Sequence, residues 1–65
     1  MNTATITGQI IGLEYLEPLR EKVRLTVLVD SISVIVITDE PRNLGEEITV
    51  IGRLGGGSTI HQETT

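Results

Sequence analysis

The stretch from Val23 to Thr38 constrains this chain more than any other. It reads Val-Arg-Leu-Thr-Val-Leu-Val, then Asp30-Ser31, then Ile-Ser-Val-Ile-Val-Ile-Thr. β-Branched side chains have stiff χ1 angles that suit a pleated strand and crowd a helix. Two such runs parted by two turn-forming residues predict a β-hairpin. Asp30-Ser31 is a weaker turn pair than Asn-Gly, because neither residue takes positive φ as readily as glycine. The prediction therefore rests on the strands more than on the turn. In the first strand Val23, Leu25, Val27 and Val29 face inward, and Lys22, Arg24, Thr26 and Leu28 face outward. In the second, Ile32, Val34 and Val36 share one face, while Ser33, Ile35 and Ile37 share the other. Both faces of that strand are largely apolar, which implies cover on both sides or a patch that meets a partner.

The flanking sequence reads as further sheet. From Thr3 to Leu16, Ala4, Ile6, Gly8 and Ile10 alternate with Thr3, Thr5, Thr7 and Gln9, the period of a half-buried strand. The adjacent Ile10-Ile11 pair breaks that period between Gly8 and Gly12, which suits a bulge or a sharp coil in a long strand serving two sheets of a small barrel. Pro18 removes a backbone donor and ends the strand in the loop Glu17–Glu21. Asp39–Gly45 is a short connection with room for one helical turn. Glu46–Leu54 alternates again, with Ile48, Val50, Gly52 and Leu54 inward and Glu47, Thr49, Ile51 and Arg53 outward. Gly55-Gly56-Gly57-Ser58 is a glycine-rich hairpin loop that shares the composition of a flexible linker. Thr59–Gln62 has the length of a short fifth strand.

A chain of 65 residues holds one domain, spanning 1–65 with residues 63–65 as a frayed tail. Its own core is marginal at this size. With no Cys and a single His61, neither disulfides nor a structural zinc site is available to reinforce it. A well-filled aliphatic core or oligomerisation remains. The net charge of −4 gives no general attraction to nucleic acid. No apolar run has the length of a membrane-spanning helix and no leader pattern opens the chain, so a cytoplasmic protein is expected.

Five short strands without a substantial helix predict an all-β protein, a small five-stranded barrel. Three places resemble the OB-fold, in particular its compact tRNA-anticodon/helicase-type nucleic-acid-binding group. Ile6-Thr7-Gly8-Gln9-Ile10 is similar to that group's first strand. Val27-Leu28-Val29-Asp30 before Ile32 is similar to its strand–Asp–turn–strand. Leu44-Gly45-Glu46-Glu47-Ile48-Thr49-Val50-Ile51-Gly52-Arg53-Leu54 resembles its fourth strand, with the leucine one place closer to the glycine. An SH3-like barrel has similar size and strand count and is the other candidate.

Catalysis is not expected, because no nucleophile and base stand at a usable spacing, and no cofactor or metal site is indicated. Arg20, Lys22 and Arg24 alternate and project from one face, with Arg53 near the same rim. The resemblance implies that this face, on strands two and three, captures single-stranded DNA or RNA, with Tyr15 as the stacking ring. A solvated strand face balanced by Glu14, Glu17 and Glu21 explains the same cations. The outward apolar set Leu28, Ile35, Ile37 and Ile51 predicts a self-association surface, so the module is expected to be a homo-oligomer, and the same set supports a second reading. There the chain is a structural or adaptor barrel that self-associates or binds a protein, with no nucleic-acid role.

Overall fold

A computed structural model describes residues 2–16, 22–40, 42–57 and 59–62. Five strands follow one another: β1 (Thr3–Leu16), β2 (Lys22–Val29), β3 (Ile32–Thr38), β4 (Glu47–Leu54) and β5 (Thr59–Gln62). They form one sheet that closes into a barrel-like ring in the order β1-β2-β3-β5-β4. The all-β expectation holds. The residues around Leu44 and Gly45 form a turn, and no helical turn occurs among the described residues of the β3–β4 connection. Accordingly, no described helix is long and apolar enough to cross a membrane.

β1 belongs to both halves of the ring. Its first half pairs antiparallel with β4, from Thr3 opposite Arg53 to Gln9 opposite Glu47. Its second half pairs with β2, from Gln9 opposite Leu28 to Leu16 opposite Lys22. The register shifts between Ile10 and Gly12, where Ile11 is the extra residue of a bulge. The isoleucine pair that broke the alternation therefore marks the place where the strand turns from one partner to the other. Here the connection after β3 also docks: the Ile10 N–H donates to the Glu46 carbonyl at 2.9 Å, and the Gly45 N–H to the Ile10 carbonyl at 2.8 Å.

The inward alternation builds the core. Ile10, Val23, Leu25, Val27, Val36, Ile48 and Val50 form one buried aliphatic cluster, with Ile6, Leu13 and Val29 packed against it. Two residues expected to face inward do so only in register. Ile32 is 62% exposed and Leu54 is 46% exposed, because each ends its strand where the ring offers nothing further to cover it. At Gly52 the missing side chain lets β5 approach: an added Cβ would overlap Ile60 Cγ2 and lie 2.7 Å from the His61 carbonyl oxygen.

The β2–β3 hairpin pairs in full, from Val23 opposite Thr38 to Val29 opposite Ile32. Its turn is the primed type, with Asp30 at φ 49° and Ser31 at φ 71°. Two non-glycine residues thus occupy the left-handed region, at a cost of roughly 1–2 kcal/mol each. Ser31→Gly removes one such cost, less the chain entropy that glycine adds to the unfolded state. The expected net gain is about 0.5–1 kcal/mol, read as a melting temperature about 3–8 °C higher. A melting temperature equal to or below that of the parent would show that the turn is not strained.

At one end of the ring a polar chain ties β5 to the β3–β4 connection. The buried Thr38 hydroxyl donates to Gln62 Oε1 and accepts from the Glu40 N–H at 3.1 Å. Gln62 Nε2 donates to Glu40 Oε1 at 2.9 Å, and Arg42 donates to Glu40 at 3.2 Å and to Glu46 at 3.4 Å. No buried side-chain polar atom among the described residues lacks a partner.

Candidate nucleic-acid interface

Residues directly opposite one another on neighbouring strands share a face of the sheet. The outward residues therefore fall into transverse rows. One row runs from Glu14 on β1 to Arg24 on β2, then to Ile37 on β3, His61 on β5 and Arg53 on β4. It ends on Thr3 as β1 comes round again. Arg24, His61 and Arg53 are exposed, and Ile37 is half-buried between Arg24 and His61.

The expected site residues separate into three groups. Lys22, Arg24 and Arg53 all project outward and are exposed. Arg24 donates from Nη2 to Glu14 Oε1, its neighbour in the row, so one of the three cations is already matched. Lys22 and Arg53 form no ion pair with another described residue. Tyr15 lies opposite Val23, a core residue, and so belongs to the interior side of the sheet at the rim of the ring. It is 44% exposed there, on the side of the sheet opposite Lys22, Arg24 and Arg53. Arg20 lies outside the described residues.

The four apolar residues expected to form a self-association surface all face outward. Leu28 is 39% and Ile51 60% exposed, whereas Ile35 and Ile37 are half-buried. Leu28 lies beside Ser33 toward the hairpin turn, and Ile51 lies opposite Thr5 beyond Arg53. The Arg24–Ile37–His61–Arg53 row runs between those two. The set is therefore interrupted by charge and does not form one continuous patch.

Charge is segregated on this surface. The outward positions of β2, β3 and β5, and of β4 from Ile51 onward, carry Lys22, Arg24, Arg53 and His61 and no carboxylate. Among the described residues the acids stand elsewhere: Glu14 on β1, Asp30 at the hairpin turn, Asp39, Glu40 and Glu46 in the β3–β4 connection, and Glu47 at the start of β4. No described group of three His, Asp or Glu side chains is placed to hold a metal ion.

His61 is the residue that sequence reasoning missed. It stands alone in the sequence, and only the parallel pairing of β3 with β5 brings it between the two arginines. No protein-family model, curated protein or solved structure matches this chain.

Proposed function

We propose that this chain is a non-catalytic, OB-fold-like module that binds single-stranded DNA or RNA weakly through the outward face of β2, β3, β5 and the end of β4. The observation that carries this reading is the segregation of charge. A chain with net charge −4 gathers three of its five cations and its one histidine on the outward positions of these strands, which carry no carboxylate, while Glu14 of β1 stands beside them paired with Arg24. Such a face creates a local positive potential despite the acidic whole. The half-buried Ile35 and Ile37 give it an apolar floor against which bases can lie. The strand order, with β1 shared between β4 and β2 and β5 set between β3 and β4, supports the OB-fold-like reading over the SH3-like one.

Binding should be weak and steeply salt-dependent. Two free phosphate contacts, from Lys22 and Arg53, give a slope of about −1.4 in log K against log salt, and a Kd of about 10⁻⁶–10⁻⁴ M at physiological salt. The Glu14–Arg24 pair supplies a sharper test. Glu14→Gln frees Arg24 and removes a carboxylate that repels phosphate. Affinity for an oligothymidylate or oligouridylate should rise several-fold at low salt, and the slope should steepen by about 0.7. Fluorescence anisotropy at two salt concentrations reads both. A parent chain that binds neither oligonucleotide at low salt would sink the proposal.

The exposure of Leu28 and Ile51 favours one competing reading, an adaptor barrel that self-associates. Solution mass measured beside the titration separates the two. A stable dimer without oligonucleotide binding supports the adaptor. A monomer that binds supports the nucleic-acid module.

A further inference from the structure

We infer that His61 is a stacking ring of this face, holding a base between the phosphate contacts of Arg24 and Arg53. The inference rests on the function proposed above and adds a residue to it.

Three observations support it. First, an exposed row that carries cations at both ends and a ring between them has the elements of a single-strand site: phosphate contacts flanking a base platform. Arg24 and Arg53 are three strand steps apart, about 14 Å along the surface at about 4.8 Å per step. Second, the imidazole is braced. A Cβ added at Gly55 would lie 3.1 Å from His61 Cδ2 and 3.2 Å from Nε2, so the ring edge rests over the bare backbone of that glycine. Ile37 is its neighbour in the row on the other side. Third, the alternative ring, Tyr15, belongs to the opposite side of the sheet. Histidine is among the side chains on which unstacked bases lie.

The test compares the parent with His61→Thr, His61→Phe and Arg53→Ala, using an oligothymidylate and an oligouridylate at mildly alkaline pH. Thr and Phe both favour strands, so β5 is retained in the two histidine variants, and melting curves check this. His61→Thr should weaken binding about five-fold or more without changing the salt slope. His61→Phe should restore it, because a ring without a proton-bearing nitrogen still stacks. Arg53→Ala should both weaken binding and flatten the slope by about 0.7. If the parent binds but His61→Thr binds equally well, or Phe fails to restore binding lost with Thr, the stacking role is wrong while the proposed function stands. If the parent binds neither oligonucleotide, the proposed function fails and this inference fails with it. A preference for one oligonucleotide over the other identifies which nucleic acid the face suits.

Discussion

Leu25→Ala should remove a large share of the folding stability of this chain. Leu25 is fully buried, with Leu13 of β1 on one side and Val36 of β3 on the other. Truncating a leucine in such a place costs about 2–5 kcal/mol, because the cavity adds to the lost transfer energy. At about 0.05–0.15 kcal/mol per residue, a chain of 65 residues has only roughly 3–10 kcal/mol to lose. The core holds no Phe or Trp, and its aliphatic neighbours sit in β-strands that cannot slide inward without breaking register. Urea denaturation should show a fall in midpoint of about one-fifth or more. A loss below about 1 kcal/mol would mean that Leu25 does not sit in a shared core.

Gly8→Ala should be comparably damaging for the opposite reason, that it adds an atom where none fits. A Cβ at Gly8 would overlap the Leu28 carbonyl oxygen and lie 2.8 Å from Val27 Cγ1 and 2.9 Å from Val29 Cγ2. The first of these is backbone of the paired hairpin, one pair from its turn, so it cannot swing aside as a side-chain tip would. Overpacking of this kind costs about 1–3 kcal/mol or more, and here it pushes β1 away from β2 close to the bulge. Gly56→Ala is the matched control, since nothing lies within 4 Å of a Cβ there. Thermal melts should show a large drop for Gly8→Ala and almost none for Gly56→Ala. Equal melts for the two would overturn the close approach.

Much of this fold is legible because side-chain parity survives without tertiary information. Val23, Leu25 and Val27 are buried as their alternation implies, and the β2–β3 pairing follows from it. The Ile10-Ile11 pair between two glycines marked the bulge, since a single added residue is the cheapest way to flip a strand's parity. Strand ends were less legible. Ile32 and Leu54 obey the alternation yet emerge into solvent, because burial depends on what lies beyond the strand and the sequence pattern does not carry that. Ile11 shifts the parity of β1, so Tyr15 falls on the inner side of the sheet and Glu14 takes the outward place beside Arg24. The Arg24–His61–Arg53 row depended on the register of a parallel pair between segments far apart in sequence. No local pattern encodes that register.

β5 makes the ring a ring, and it is the shortest strand in it. Three register positions hold it to β3 and three hold it to β4. Local opening follows the number of contacts a segment must release, so its amides should exchange with solvent sooner than those of the hairpin. When it lifts, the backbone edges of β3 and β4 stand open, and β3 is apolar on both of its faces. An open, two-sided apolar edge is a template for strand addition by another chain. The tie from Gln62 to Thr38 and Glu40 therefore holds β5 over those edges. His61 lies on this same segment, so any ligand that grips its ring also keeps the gate shut.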